Sequence, residues 1–176
     1  MHTGWISPEF IIKSSKIDHT IISGYASVFG IADSQNDIIN KGAFKNAENH
    51  KIKLLWQHDV TKPIGIITLL EEDEYGLKIE AEINNRVTNG KEATELIKQR
   101  AVCGLSVGFT INESDYDKKG ARVIKEANLM EVSIVTFPAN NEARINCIKR
   151  HDNRDDSNKA NQIKELEILI NKLEKY

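Results

Sequence analysis

Hydrophobic residues recur at every second position in several stretches of the chain, a pattern typical of β-strands that place one face in a core. These stretches are also rich in β-branched and aromatic residues, which favour strands. They are residues 9–13, 20–30, 51–58, 64–70, 77–83, 102–111 and 128–137. The polar run E-E-D-E-Y-G separates the fourth stretch from the fifth. We therefore predict about seven strands, with an antiparallel hairpin around this run that has one solvent-exposed face.

The polar and apolar positions of two other segments predict helices. In residues 89–100, Asn89 is a candidate cap, and the apolar side chains that follow share one face of about three helical turns. Residues 139–148, A-N-N-E-A-R-I-N-C-I, predict a second, shorter helix. Asp33 and Asp37 precede G-A-F, where we expect them to shape a turn and to cap a short helix rather than to hold a metal.

About seven strands with two or three helices predict an α+β fold, mainly antiparallel β, with a β-barrel-like core and peripheral helices. The composition changes near residue 151, where a polar, charged run begins. We therefore divide the chain into a domain of residues 1–150 and a tail of residues 151–176. The tail combines a linker with an amphipathic helix that has Ile163, Leu166, Ile170 and Leu173 at its a and d positions. Two heptads are too few for a coiled coil, so this helix docks the protein or pairs it with a second copy.

Composition and charge narrow the class of protein. The chain has 176 residues, 40% of them hydrophobic, and a formal net charge of -2, which indicates no nucleic-acid or anionic-membrane partner. No stretch approaches the roughly 18 apolar residues of a membrane span. The first ten residues lack the layout of a secretion signal. Cys103 and Cys147 have no metal-type spacing, and a disulfide framework is not expected. We expect a cytosolic, soluble protein without a metal or cofactor.

The stretch V-C-G-L-S-V-G-F, residues 102–109, places Ser106 in the middle of a predicted strand. Gly104 and Gly108 flank it at two positions on either side, on the same face. Glycine inside a strand costs stability and often marks a site that another backbone or a ligand approaches closely. The two glycines either clear a path for an extended peptide to reach Ser106, or mark a bulge or tight packing beside a merely small, polar serine.

A serine hydroxyl is a weak nucleophile unless a base accepts its proton, and His58 is the best candidate base. The other histidines lie at the N-terminus, at strand or loop edges, or at the start of the linker: His2, His19, His50 and His151. Only His58 ends a β run on its apolar face, two positions after Trp56. This position predicts a partly buried imidazole with a defined tautomer. The alternative is a histidine at the edge of the core with no chemical role.

Glu131 lies inside the apolar run L-M-E-V-S-I-V, where a buried carboxylate needs a partner. An imidazole N–H is a suitable partner; the alternatives are an edge strand that leaves Glu131 in water, or a salt bridge to a lysine. Ser133 shares the face of Glu131 and is placed to support it with a hydrogen bond. Together, Ser106, His58 and Glu131 supply a nucleophile, a base and an orienting acid.

Four blocks of the sequence resemble the prohead (capsid maturation) proteases of tailed bacteriophages, which are related in fold to the herpesvirus assembly protease. The blocks are G-Y-A-S-V-F-G-I-A-D-S-Q-N-D-I-I-N-K-G-A-F (24–44), L-L-W-Q-H-D-V-T-K-P-I-G (54–65), G-L-S-V-G-F (104–109) and E-V-S-I-V-T-F-P-A-N (131–140). They occur in the family's order and cover most of residues 10–148. As a set they are specific, whereas G-L-S-V-G-F alone is not.

The resemblance implies a herpesvirus-protease-like fold and a serine endopeptidase that processes capsid or scaffold precursors, and itself, inside the assembling prohead in the bacterial cytoplasm. It implies His58 as the base, Ser106 as the nucleophile and Glu131 as the third member, a role that a second histidine takes in the herpesvirus enzyme. The tails of family members are often self-cleaved or dock the protease to the scaffold. The resemblance implies no metal and no cofactor.

Two rival functions have distinct tests. A non-enzymatic assembly factor would bind capsid subunits through residues 151–176 and would tolerate Ser106→Ala. A metal hydrolase using His50, His58 and Asp59 would be sensitive to chelators, but no H-E-x-x-H-type pattern supports it. For the protease, the loop P-A-N-N-E after the Glu131 strand is a candidate source of backbone N–H groups for the oxyanion, since it is predicted to open a helix.

Overall fold

The computed structural model describes residues 18–151. The predicted strand at residues 9–13 and the predicted linker and helix beyond residue 151 lie outside this range. The elements, in chain order, are β1 (His19–Val28), β2 (Asp37–Ile39), a 3-10 turn (Asn49–Lys51), β3 (Lys53–Trp56), β4 (Asp59–Glu72), β5 (Gly76–Asn84), α1 (Thr88–Lys98), β6 (Gly104–Tyr116), β7 (Arg122–Val135) and β8 (Ile145–His151).

The strands form one mixed sheet in the order β2-β7-β3-β4-β5-β1-β8, with β6 paired along β7. Strand β7 pairs in parallel with β2 and β3 and antiparallel with β6. The expectation of a mainly antiparallel, barrel-like core is therefore not confirmed. Among the described residues the sheet does not close, and a single bridge between Gly104 and Arg144 links the start of β6 to the chain entering β8.

Most of the predicted elements are present. The predicted hairpin is confirmed as β4 and β5, and the predicted helix as α1. The helix cap is wrong: the residue at the N-cap is Val87, without a side-chain cap, and Asn89 lies inside the helix. The second helix, at residues 139–148, is also wrong. The side chain of Asn140 accepts a hydrogen bond from the Glu142 N–H, which forms a turn, and the chain then pairs with β1 as β8.

The core lies between the sheet and α1 and is built from the alternating apolar positions of the strands. Its fully buried members include Ile22, Leu54, Ile64, Leu77, Ile79, Leu105 and Ile134. Helix α1 buries Ala93 and Ile97 against this core, and Val102 is buried just before β6 begins. The strand that carries Ser106 is thereby anchored at its start. No helix among residues 18–151 is long and apolar enough to span a membrane.

Candidate active site

The three predicted site residues lie on neighbouring elements around β7. On β6 and β7, Ser106 lies directly opposite Ser133, and Gly108 directly opposite Glu131. Strand β3 pairs with the other edge of the same part of β7, and the turn that follows β3 carries His58. Because β7 lies between the other two strands, it places the carboxylate between the serine strand and the histidine turn.

The imidazole of His58 contacts Glu131 directly. The distance between His58 Nδ1 and Glu131 Oε1 is 2.6 Å, and the side chains are 45% and 13% exposed. A carboxylate accepts hydrogen bonds, so Nδ1 carries the hydrogen and Nε2 of the neutral ring is left as a proton acceptor. The hydrogen bond and the negative charge of Glu131 raise the pKa of His58 above its ordinary value, although partial burial acts in the opposite direction.

Ser133 holds both members of this pair. Its hydroxyl donates to Glu131 Oε2 at 2.7 Å and accepts a hydrogen bond from the backbone N–H of His58 at 3.1 Å. The supporting hydrogen bond predicted for Ser133 is thus confirmed. One buried hydroxyl fixes the orientation of the carboxylate and the position of the histidine backbone at the same time.

His58 does not lie on the apolar face of a strand, and that expectation is wrong. Strand β3 ends at Trp56, which pairs with Asp59, and Gln57 and His58 form the two-residue turn between them. Both turn residues have positive φ, 55° and 59°. This conformation is the one that two-residue hairpins prefer, but it is usually taken by Asn and Gly because it costs energy for other residues. The alternation of apolar and polar residues continues through the turn, so the sequence pattern does not indicate that a turn is present.

Gln57 clamps this turn onto the end of β7, a contact that the sequence reading missed. Its backbone N–H donates to Ile134 O at 3.0 Å. Its side-chain amide donates to Thr136 Oγ1 at 2.9 Å and accepts from the Thr136 N–H at 3.2 Å. With the bond from His58 to Ser133, four hydrogen bonds hold two residues in an unfavourable conformation, which keeps the imidazole over Glu131.

We expect Gln57→Ala to loosen the turn and to lower the pKa of His58 toward its ordinary value. Two side-chain hydrogen bonds are lost, each worth about 1 kcal/mol, and the contact with Glu131 that raises the pKa weakens. NMR titration of the His58 ring measures this shift. Gln57→Glu keeps an acceptor for the Thr136 N–H, so this variant should retain most of the raised pKa of His58. The control is Gln99→Ala, which replaces an exposed glutamine just after α1. An unchanged pKa of His58 in Gln57→Ala would show that Gln57 does not hold the imidazole against Glu131.

The space beside the two glycines of β6 is already occupied. A Cβ atom on Gly108 would lie 2.3 Å from Glu131 Oε1, and one on Gly104 would lie 2.7 Å from Val135 O and 2.8 Å from Pro138 Cδ. The expectation that both glycines clear a path for a substrate backbone is therefore wrong. Gly108 makes room for the carboxylate that holds His58, and Gly104 for the proline that follows β7.

A cavity of about 530 Å³ opens beside Ser106 and His58, and both residues line it. Ser106 itself is only 5% exposed, so its hydroxyl group is reached from this cavity rather than from the open surface. The remaining walls come from the end of β1, from β2 and the segment before it, from β6 beyond the serine, from the start of β7 and from the loop after β7. The nucleophile and base candidates thus share one opening large enough for several atoms of a ligand.

The first residues of β2 and β7 form a charged pair in the cavity wall. Asp37 is buried and accepts two hydrogen bonds from Arg122, both at 2.7 Å, and these hydrogen bonds, with the negative charge of Asp37, raise the pKa of that guanidinium. Asp33 accepts hydrogen bonds from the N–H groups of Gln35 and Asp37, so the predicted turn is confirmed. The predicted helix cap at Asp37 is wrong, because the residue begins β2 and pairs with an arginine on β7.

The loop after β7 is fixed against the cavity by Asn140, which the sequence reading did not single out. Its side chain is buried and donates to Val28 O at 2.9 Å, while Ala139 O accepts from the Ser34 N–H at 2.9 Å. Both Ala139 and Asn140 line the cavity. No local sequence signal indicates this role, because the carbonyl that Asn140 binds, Val28 O, is 112 residues away.

The two histidines considered for a metal site have different partners. His50 lies in the 3-10 turn near Glu48, at 3.5 Å, whereas His58 is bound to Glu131. Asp59 accepts hydrogen bonds from Thr61 and pairs with Lys62, and these contacts lower its pKa to about 2. Within residues 18–151 no group of three or more His, Cys, Asp or Glu side chains is arranged to hold a metal ion.

Comparison with known proteins gives matches along most of the chain. Residues 9–159 match the model of the caudovirus prohead serine protease family. The prohead protease of Enterobacteria phage HK97 is 36% identical over 159 residues, covering 81% of this chain and 71% of that protein. The prohead protease of Escherichia phage T5 is 32% identical over 151 residues, covering 82% and 70%.

Among solved structures the chain is similar to herpesvirus proteases. The KSHV protease in complex with a hexapeptide phosphonate inhibitor aligns with a TM-score of 0.55 and 12% identity, covering 76% of this chain and 66% of that one. The varicella-zoster virus protease aligns with a TM-score of 0.50, covering 74% and 64%. At this identity the likeness shows the fold alone. The family match and the two phage relatives show more: this chain belongs to the caudovirus prohead serine protease family.

Proposed function

We propose that this chain is a serine endopeptidase in which Ser106 is the nucleophile, His58 the general base and Glu131 the residue that orients and stabilises the base. The observation that carries the proposal is the 2.6 Å contact between His58 Nδ1 and Glu131 Oε1 beside a cavity that Ser106 also lines. Family membership supports a capsid maturation protease. The arrangement of hydroxyl, imidazole and carboxylate supports the serine mechanism.

The reaction follows from the tautomer that Glu131 imposes. Nε2 of His58 removes the proton of Ser106 as its Oγ attacks a peptide carbonyl carbon, and Glu131 stabilises the imidazolium that results. The imidazolium then gives its proton to the leaving amine, and the C–N bond breaks to leave an acyl group on Ser106. Water, deprotonated by the same imidazole, hydrolyses this ester and restores the serine.

The oxyanion of this reaction needs donors that are fixed before the substrate arrives. Ala139 and Asn140 line the cavity with Ser106, and their backbone N–H groups donate to no other residue among those described. The side chain of Asn140 holds the loop on β1. We assign the oxyanion to these two N–H groups. The prediction that this loop opens a helix is wrong, because β8 follows it.

The substrate that we propose is a capsid or scaffold precursor, together with the protease's own tail, cleaved inside the assembling prohead in the bacterial cytoplasm. A capsid polyprotein of Pseudomonas phage PAJU2 supports the link to the capsid: it is 32% identical over 150 residues, although this chain covers only 22% of it. In this proposal residues 1–150 form the protease domain, and residues 151–176 are the docking or self-cleaved tail. We propose no nucleic-acid, membrane, metal or cofactor partner.

An alkyl fluorophosphonate, which reacts with activated serines, tests the nucleophile without knowledge of the substrate. We expect one label per chain, located at Ser106 by peptide mass spectrometry, because the imidazole at the same cavity activates this hydroxyl. Ser106→Ala should take up no label, whereas Ser114→Ala, on the same strand but outside the cavity, should be labelled as the parent is. A label on another residue, or none, would exclude Ser106 as the activated nucleophile.

A further inference from the structure

The cavity next to Ser106 has an apolar rim. Nine large hydrophobic side chains are exposed among the described residues, and three of them, Ile31, Ile111 and Phe137, line this cavity. Exposed apolar side chains scattered singly over a surface are ordinary, but a group around one opening marks a place where another molecule is bound. The rim therefore indicates that part of the ligand at this opening is apolar.

Phe137 is the most exposed of the group at 89%, and its position is not explained by packing or by a loose backbone. It follows the end of β7 directly and precedes Pro138, which restricts it to an extended conformation. The Pro138 ring lies against Gly104, where a Cβ would clash with it. Beyond it, the loop is bound to Ser34 and to Val28 O.

An aromatic side chain that is exposed on a backbone fixed at both ends is prepared for contact before the partner arrives. Such preorganisation lowers the entropic cost of binding, and rigid aromatic side chains are frequent anchors of protein recognition. The sequence pattern predicts a strand through residue 137, which would include this phenylalanine. The structure instead ends the strand at Val135 and projects the residue beside the cavity.

The charged residues that line the cavity determine which ligand charge it tolerates. Asp33, Asp37 and Arg122 line it, and two carboxylates with one guanidinium leave one net negative charge. Both oxygens of Asp37 are occupied by Arg122, and Oδ1 of Asp33 by two backbone N–H groups. The net negative charge would repel an acidic side chain here, whereas an apolar side chain can lie along the rim without displacing the hydrogen bonds of Asp33 and Asp37.

We propose that Phe137, with Ile31 and Ile111, forms a specificity subsite that receives an apolar side chain of the substrate within two positions of the scissile bond. This inference rests on the proposed protease function and deepens it by naming a feature of the substrate. Phe137 acts as a specificity-determining residue: it contacts the substrate but takes no part in the proton transfers at Ser106 and His58.

The test compares cleavage of a mixed library of random-sequence peptides, read by mass spectrometry, with the final extent of fluorophosphonate labelling. In the parent we expect Phe, Leu, Ile or Met to be enriched about tenfold at one position near the cut, and Asp and Glu to be depleted. Phe137→Ser should reduce the enrichment to near unity, while Ser106 of this variant should still take up one label per chain. The control Tyr116→Ser, an aromatic residue 73% exposed at the far end of β6, should keep the parent profile.

The two readouts separate the two proposals. If Ser106 is labelled but Phe137→Ser keeps the parent profile, or if acidic residues are enriched, the subsite is wrong and the protease stands. If Ser106 of the parent takes up the label but a separate, unlabelled sample of the parent leaves the library uncut, the subsite is also wrong, since it should select side chains in short peptides. If Ser106 takes up no label and nothing is cut, the protease function fails and the subsite with it.

Discussion

Ser106→Ala is expected to abolish processing of a co-expressed capsid precursor and of the protein's own tail. Removal of the nucleophilic oxygen leaves His58 and Glu131 in place but without an atom to attack the carbonyl, and in a catalytic triad this costs about 10⁴-fold or more in kcat. The measurement is intact-mass spectrometry of both proteins after purification, with the parent and the variant compared over the same time course.

The matched control is a second serine-to-alanine substitution on the same strand. Ser114→Ala removes a hydroxyl from β6 eight residues away, outside the cavity, and should process as the parent does. Ser106 is small and its replacement fills the same volume, so the thermal unfolding of the two variants should match within a few degrees. Processing by Ser106→Ala at the parent rate would show that Ser106 is not the nucleophile. The rival function, an assembly factor that binds capsid subunits through residues 151–176, predicts that Ser106→Ala leaves particle assembly and maturation intact.

Glu131→Gln is expected to reduce kcat by about 10²- to 10⁴-fold with a smaller change in KM. A neutral amide can donate to Nδ1 of His58, which favours the wrong tautomer, and it no longer stabilises the imidazolium formed in the transition state. The two contacts of Glu131, with His58 at 2.6 Å and with Ser133 at 2.7 Å, make it the residue through which the base is held. Glu126→Gln, on the same strand and away from His58, is the matched control.

The pH profile distinguishes this role from a merely structural one. His58 must be neutral to accept a proton, and Glu131 raises its pKa, so parent activity should fall as the pH drops through a value above that of an ordinary histidine. Without the carboxylate the pKa falls, and the acid limb of Glu131→Gln should move to lower pH. An acid limb that stays in place, with full activity, would contradict the assignment of Glu131 as the third member.

The same contact links pH to stability. Because the folded-state pKa of His58 is raised, protonation stabilises the fold: this contribution is fully present below the pKa of the unfolded chain and is lost as pH rises through the folded-state pKa. The base is therefore held most firmly when it is protonated and works only when it is not. Ser133 and Gln57, whose hydrogen bonds do not depend on this proton, keep the turn in place across the change.

The strand pattern and the residue types of the site could be predicted because both are local properties. Alternation located the hairpin of β4 and β5, and the isolation of Glu131 in an apolar run indicated a partner, which proved to be the imidazole. The reading failed where one local pattern fits two structures. Residues 139–148 satisfy a helical pattern, but the turn at Asn140 and pairing with β1 make them a loop and a strand.

The glycines of V-C-G-L-S-V-G-F are a second case in which the sequence pattern fits more than one structure. The sequence alone left two alternatives for Gly104 and Gly108: a path for a substrate backbone, or a bulge or tight packing. Only the tertiary structure decided what approaches: Glu131 at one glycine and Pro138 at the other. Ser106 pairs with Ser133, 27 positions away, and each residue of β3 pairs with a residue of β7 that is 78 positions away. Such non-local pairing leaves no periodic trace in the chain. The sequence therefore determined which side chains are candidates for chemistry, and the order of the strands decided that His58 contacts Glu131 beside the cavity that Ser106 lines.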